Sequence, residues 1–341
     1  LFIASIYLND QSLYEKSYRL LVKQLDEQIL EDGGHYECSV MYQSILLTKL
    51  MFCIEAASKV DWIEHSSIIA LVKKAENMLG WINTYSFPDG SWALMNDAAE
   101  QIAPTTASLN DAATLLDIQP KKVVLTASGF RKMIGKNWEL LIKTGPVQPS
   151  YQPGHVHADI SSYCLWNKGT QVIVDPGVST YAISERRTIE RGTSLHNTLS
   201  LNYQNQSDVW GGFRVGKRAR VKSLKDSTNC IQITVYPYFN RNCNHDRKFT
   251  KIDAHSFMIE DRIQNTSDIF VSKGNIQFSN NVSVAHQENE LKLDDISIKM
   301  EGVEDGMLQE GKYAVSYYLL QSGPRFEYKT SPFSNFIFKF S

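Results

Sequence analysis

Ser161-Ser162-Tyr163-Cys164-Leu165-Trp166-Asn167-Lys168-Gly169-Thr170-Gln171-Val172-Ile173-Val174-Asp175 decides the fold of this chain. Two short runs rich in aromatic and β-branched residues flank a turn sequence, Asn167-Lys168-Gly169, so the stretch predicts a β-hairpin. Outward from it, everything beyond about residue 123 keeps a period of two. The strand-like runs are Glu139–Lys143, Ser161–Asn167, Gln171–Asp175, Asn197–Leu201, Ile231–Tyr236, Ser256–Ile263, Leu291–Met300, Tyr313–Leu320 and Asn335–Phe340. Many short strands with few helices between them predict a large antiparallel β-sandwich.

Before residue 123 the period is helical. Tyr14, Tyr18, Leu21, Val22, Leu25 and Ile29 form one stripe, and Met41, Ile45, Leu47, Leu50, Met51 and Ile54 a second. Ile68, Ile69, Val72, Met78, Leu79 and Ile82 form a third. Stripes at i, i+4, i+7 spacing are amphipathic helices, and Asp32-Gly33-Gly34 and Pro88-Asp89-Gly90 supply turns. The fold class is therefore α+β multidomain: residues 1–122 helical, ending in a linker from Ile102 to Lys122, and residues 123–341 a sandwich.

The chain has 341 residues, 43% of them hydrophobic, and a formal net charge of -2. That charge gives no bulk attraction to nucleic acid or to an anionic membrane, so an anionic ligand needs a local basic cluster. The five cysteines, Cys38, Cys53, Cys164, Cys230 and Cys243, are odd in number and form no C-x-x-C pair. They read as buried thiols, not as a disulfide framework or a zinc ribbon. No apolar run reaches the roughly 18–20 residues of a membrane span. The opening Leu1-Phe2-Ile3-Ala4-Ser5-Ile6-Tyr7-Leu8 has no Met and no basic region. It reads as the middle of a helix, so a fragment is expected.

The chemistry-bearing residues gather around the hairpin. Gly154-His155-Val156-His157-Ala158-Asp159 precedes it, Val174-Asp175-Pro176-Gly177 ends it, and Leu195-His196-Asn197-Thr198 follows. In an extended chain His155 and His157 leave the same face. Pairing about the turn sets Asp175 beside Ser161, so the loop at 153–159 must fold back for His157 to meet it. His196, read as beginning a strand, supplies a third donor. Two imidazoles and one carboxylate suit Zn²⁺. Against this stands the plainer reading of hydrogen-bonded histidines at strand ends, which fits any one of them better than it fits the set. An H-x-H pair also opens some metallohydrolase barrels, but a hairpin follows here instead of a βαβ unit.

These motifs resemble those of the heparinase II/III-like polysaccharide lyases. The resemblance is carried by Gln152-Pro153-Gly154-His155-Val156-His157-Ala158-Asp159, by Val174-Asp175-Pro176-Gly177 and by Glu190-Arg191-Gly192-Thr193-Ser194-Leu195-His196-Asn197-Thr198. Asp208-Val209-Trp210-Gly211-Gly212-Phe213-Arg214-Val215 continues it. In the helical half, Asp32-Gly33-Gly34-His35-Tyr36-Glu37-Cys38-Ser39-Val40-Met41-Tyr42 is similar to the family's turn between toroid helices. The likeness spans most of residues 25–220.

The resemblance implies an incomplete (α/α) toroid before the sandwich and β-elimination on a uronate-containing acidic glycan. It implies Tyr42 as the tyrosine acid or acid/base and His155 as the cleft histidine that assists proton transfer or charge neutralisation. Tyr181 fits loosely as a second tyrosine. It also implies His157, Asp175 and His196 as ligands of a structural zinc, with His35 and Glu37 lining the cleft, a capping or solvated role being the equal alternative for Glu37. Arg186, Arg187 and Arg191 suit attraction of a polyanion, or equally a solvated loop. Trp92 and Trp210 are sugar platforms or, more simply, core.

The family's turn reads Ser-Pro-x-Tyr-His; here Val40 stands for the proline and Gln43 for the histidine. Catalytic members carry an Asn-His pair upstream of a segment like Leu1–Leu8. The expected partner is an acidic poly- or oligosaccharide, with no nucleic acid and no membrane span; the oligomeric state is left open. That substrate class implies a periplasmic or secreted protein, a cytoplasmic one being the alternative. Two rivals remain at this level. One is a non-catalytic glycan-binding protein of the same fold, and the other is metal-dependent hydrolysis, which would give saturated products.

Overall fold

The opening segment forms α1 (Phe2–Tyr7), and the three stripes form α2 (Gln11–Gln28), α3 (Val40–Ser58) and α4 (His65–Tyr85). Side-chain caps set the starts of α2 and α3: Asp10 accepts from the Leu13 N–H at 2.9 Å and Ser39 from the Tyr42 N–H at 3.4 Å. The computed structural model describes residues 1–240, 242–264 and 271–341. One compact unit comprises Leu1–Trp92 and Gln101–Ser128, and a second comprises Ala93–Glu100 and Gly129–Ser341.

In the helical unit, the segment Ile102–Lys122 is not a plain linker. Thr105 caps a further helix, α5 (Thr106–Leu115), which buries Leu109 and Ala113 and packs against α3 and α4. Two prolines at its borders masked a helix of good composition. Val40–Ser58 is long and apolar enough to cross a bilayer, although half of that window is buried inside the structure. Its apolar face packs against α1, α4 and α5.

The turn before α3 is pinned by a buried carboxylate. Asp32 accepts from the Gly34 N–H and from the N–H groups of Thr126 and Ser128 at 2.8 and 2.9 Å. Gly33 has φ +85°, and a Cβ there would lie 2.3 Å from the Asn77 carbonyl oxygen, so only glycine fits. Gln43 is buried, and its amide donates to the carbonyls of Gly33 (2.8 Å) and Met78 (3.1 Å).

The second unit is the sandwich. One sheet is β1 (Phe130–Ile134), β2 (Trp138–Lys143), β3 (Tyr163–Asn167) and β4 (Thr170–Ile173), in that order and antiparallel. The chain then passes through α6 (Glu185–Glu190) to β5 (Leu199–Leu201) and the small hairpin β6 (Asp208–Trp210) and β7 (Arg214–Gly216). It continues through β8 (Arg220–Ser227), β9 (Cys230–Tyr236), β10 (Asn244–Asp253), β11 (Ser256–Gln264) and β12 (Ser272–Gln277). β13 (Ala285–Gln287), β14 (Glu290–Leu293), β15 (Ile296–Ser316) and β16 (Leu319–Phe340) complete it.

Among the described residues the large sheet runs β13-β14-β15-β16-β11-β10-β9-β8, with β12 on β16 and β5 on β12. Two expected runs, Leu291–Met300 and Tyr313–Leu320, each cross a tight turn between two strands. The sheets share one apolar core. Trp138, Leu140, Ile142, Tyr163 and Leu165 come from the small sheet, and Phe249, Phe257, Ile298, Phe326 and Phe338 from the large one. Phe257 and Phe338 stack with centroids 4.3 Å apart, and Trp138 tilts on Phe257 at 4.9 Å. Each such ring, fully buried, contributes about 1.5–3 kcal/mol. All five cysteines are free thiols.

Candidate functional site

The expected hairpin is β3–β4, with Asn167 opposite Thr170 and an irregularity between Leu165 and Trp166. Asp175 lies just past β4. The loop before β3 does fold back: the Ser162 N–H donates to the Asp159 carbonyl, and the Ala158 N–H to the Arg191 carbonyl at 2.9 Å. The Thr193 hydroxyl adds a bond to the Ala158 carbonyl. His196 does not begin a strand. It follows a single 3₁₀ turn, Thr193–Leu195, and β5 starts only at Leu199.

Asn197 places His196. Its amide donates to the carbonyls of Tyr163 (2.8 Å) and Val174 (2.9 Å), and its own oxygen accepts from the Gln277 N–H. Arg247 ties the same loops from below, donating to the carbonyls of Ser161 and Asn197, while Asp261 holds it from the other side.

A ligand atom from each of His157, Asp175 and His196 lies within 4.8 Å of the others, all three residues being buried. His196 Nδ1 is 2.9 Å from Asp175 Oδ2. His157 Nδ1, His196 Nε2 and Asp159 Oδ2 are buried and have no hydrogen-bond partner among the described residues. Orphaned donors and acceptors of this kind are costly unless a bound group satisfies them. Burial, only partly offset by Asp97, pushes the His157 imidazole down to about 3, so it is neutral and able to ligate. Burial also disfavours charge on His196, but the carboxylates of Asp175 and Asp159 outweigh it and raise its pKa. The residues fit a divalent cation.

The hub of the site is a residue that sequence reading missed. Asp97 is fully buried, and its Oδ1 bonds His157 Nε2 and its Oδ2 bonds His155 Nδ1, both at 2.9 Å. Arg187 clamps the same carboxylate with both terminal nitrogens, at 2.5 and 2.6 Å. Burial alone would raise the Asp97 pKa; the hydrogen bonds from His155, His157 and Arg187 instead hold it well below the usual carboxylate range. Its neighbour Asn96 accepts from the backbone N–H of His157 and from the buried Lys143 amine, which also bonds Asp159. Nothing in the spacing of Leu94-Met95-Asn96-Asp97 signals this; the only hint is a polar pair inside an apolar run.

His155 is the half-buried member, its ring 6.0 Å from Tyr181 and 5.7 Å from Phe213. Tyr181 leans on Phe213 and Tyr317, shares a hydrogen bond with Tyr317, and has the Arg187 guanidinium over its ring at 5.1 Å. The β15–β16 hairpin supports this corner through the Tyr318 N–H to Ser179 and the Ala314 N–H to Pro176. Gly177, at φ +64°, would bring a Cβ within 2.5 Å of the Ala314 oxygen.

The arginines expected to meet a polyanion are turned inward. Arg187 serves Asp97 and Arg186 pairs with Glu190 at 2.7 Å. Arg191 is buried and donates to the carbonyls of Val156, Gly211 and Arg214. Burial, with Arg187 nearby, depresses its pKa to about 10. It is a brace between loops, not a substrate contact. Trp92 is core as well, 8% exposed, its indole N–H donated to Thr106 at 2.7 Å. Trp210, by contrast, is 45% exposed.

His157, Asp175, His196, His155, Tyr181 and Arg191 all belong to the sandwich unit. Tyr42, His35, Glu37 and Trp92 belong to the helical unit. There Tyr42 stands half-buried in the first turn of α3. His35 is buried, its Nε2 3.4 Å from Gln28 Oε1 and its Nδ1 3.9 Å from Glu37.

Comparison with known proteins agrees with this architecture. A heparan sulfate lyase HepC mutant from Pedobacter heparinus superposes with TM-score 0.72 at 20% identity, over 95% of this chain and 55% of that one. A heparinase III gene product gives 0.74 at 16%, over 96% and 56%. A further heparinase III gives 0.68 at 14%, over 99% and 59%. The chain thus spans a little over half the length of these structures. Among curated proteins no sequence match reaches significance. Residues 9–125 match the heparinase II/III N-terminus profile, and residues 118–315 match the heparinase II/III-like C-terminal profile. On its sequence, and with a fold that agrees, the chain belongs to the heparinase II/III-like family.

Proposed function

We propose that the protein is a polysaccharide lyase that cleaves a uronate-containing acidic glycan by β-elimination. The observation that carries this is the fixed imidazole of His155, oriented through Nδ1 by a fully ionised, buried Asp97 and set beside Tyr181. With Nδ1 engaged by the carboxylate, Nε2 is the nitrogen of His155 left to take or return a proton. In the reaction a base removes the C5 proton, the C5–H electrons form the C4–C5 double bond, and the C4–O4 bond breaks. The leaving oxygen then takes a proton. His155 and Tyr181 are the proton-handling groups of the sandwich unit, and Tyr42 is the acid that the family likeness nominates in the helical unit. The uronate carboxylate must be neutralised for its α-proton to leave.

His157, Asp175 and His196 would hold a zinc ion, which would supply positive charge and a cross-link between their loops. Asp97 then orients His157 from behind, as carboxylates do for metal-bound histidines. A polymeric acidic substrate supports a periplasmic or secreted working protein, a cytoplasmic one being the alternative.

A second reading, glycan binding without cleavage, draws on Gln43. It stands where the family's turn carries a histidine, and both its amide bonds go to backbone. One experiment separates the two. Full-length protein is incubated with a panel of uronate polymers, with zinc present, and ultraviolet absorbance of the conjugated product is followed. Absorbance that grows with the wild type and is lost in His155→Ala supports the lyase. Tight binding without absorbance on any polymer would sink it.

A further inference from the structure

With the α6 arginines turned inward, the exposed positive charge of the sandwich unit lies elsewhere. Residues 208–225 carry six basic side chains, Arg214, Lys217, Arg218, Arg220, Lys222 and Lys225, and one acidic one, Asp208. They follow the β6–β7 hairpin into β8, at one end of the large sheet. Arg214, Lys217, Arg220, Lys222 and Lys225 are exposed, and none is in an ion pair among the described residues. Nearby acids are engaged: Asp226 by Arg131, Glu260 by Lys248, and Asp246 by Thr234 and Gln264. On a chain of net charge -2, an un-neutralised row of like charges costs stability through self-repulsion.

Lysines alone are a common way to stop an edge strand from pairing with another chain. Aromatic rings interleaved with them are not explained by that need. Lys222 lies 4.6 Å over the Tyr236 ring and Lys217 5.8 Å over Tyr238. Trp210 and Phe213, at 45% and 44% exposure, stand at the start of the row. Phe213 is also the ring that touches His155. Flat apolar faces beside cations match a chain whose sugar rings stack and whose carboxylates or sulfates take charge-assisted hydrogen bonds.

We propose that Trp210, Phe213 and the basic row Arg214–Lys225 form an exosite for an extended acidic polysaccharide, continuous with His155. It would hold the chain outside the residue being cleaved and favour long polymers over short oligosaccharides. This rests on the lyase reading for its link to cleavage, but glycan binding tests it separately.

The test uses full-length protein and the triple variant Lys217→Glu, Arg220→Glu, Lys222→Glu, with far-UV circular dichroism and melting to verify folding. Binding of labelled hyaluronate (carboxylate only), heparin (carboxylate and sulfate) and single-stranded DNA is measured by anisotropy across salt. KM and kcat are measured on the polymer that is cleaved and on its tetrasaccharide. The expected result is a rise of roughly tenfold or more in Kd and KM for the polymer and a shallower salt dependence. The tetrasaccharide parameters should not move. Loss on heparin alone would assign the row to sulfate, and loss on both glycans to carboxylate. Unchanged polymer binding, an equal effect on tetrasaccharide, or DNA bound as tightly as either glycan overturns the exosite. If neither protein cleaves, lost glycan binding in the variant keeps the exosite while the lyase reading fails.

Discussion

Asp97 Oδ2 lies 2.9 Å from His155 Nδ1, joining residues 58 positions apart in sequence. The same carboxylate holds His157 and takes the Arg187 fork. One buried charge thus orients the half-buried histidine, a candidate metal ligand and an arginine.

Asp97→Asn removes the counter-charge of a guanidinium that is 1% exposed. Breaking such a buried pair costs about 3–5 kcal/mol. Urea unfolding should show this as a lower midpoint, and a loss under about 1 kcal/mol, typical of an exposed pair, would contradict the assignment.

His155→Ala and Tyr181→Phe should each lower kcat by about 10²–10⁴ while leaving the fold intact, the range expected for a general acid or base. Tyr181→Phe keeps the ring that Arg187 covers, so its melting temperature should stay near that of the wild type. An unaltered rate in both variants would remove them from the proton path.

Metal should act as a stabiliser. A ligand present at 100 times its Kd adds about 2.7 kcal/mol to the folded state. Protein stripped by chelator and then given zinc should melt higher, with near-stoichiometric metal by elemental analysis. His196→Ala should abolish both effects. Wild-type protein that retains no metal after gel filtration and melts identically with and without zinc would count against the site.

Acid should unfold the sandwich unit. Burial would raise the Asp261 pKa, but Arg247 and His245 hold it well below the carboxylate range. A depressed folded pKa contributes stability that is complete above the unfolded value of about 3.9 and is lost as pH falls through the folded one. The denaturation midpoint should therefore fall steeply below about pH 4. In Asp261→Asn the curve should start lower and flatten over the same window; an equally steep curve would place the acid sensitivity elsewhere.

How far the sequence could be read follows from what local patterns encode. The stripe ending in Leu25 and Ile29 and the Asn167-Lys168-Gly169 turn each depend on neighbours a few positions away, so helices and hairpin were legible. α5 was not, because Pro104 and Pro120 border it and its buried face is short. His157, Asp175 and His196 were legible as a donor set by residue type. Their meeting required the 153–159 loop to fold back, which simple strand pairing does not specify. Arg187 and Arg191 read as surface charge because nothing in sequence says that Asp97 and the Val156, Gly211 and Arg214 carbonyls wait for them.

The sequence by itself determined the change from helical to two-residue period, the family and the kinds of donor in the site. Tertiary structure alone decided that residues 93–100 join the sandwich unit and supply its hub. It also turned the α6 arginines inward and left a row of exposed cations at 214–225. Periodicity is a property of adjacent residues, whereas a buried charge finds its partner wherever the folded chain removes both from water.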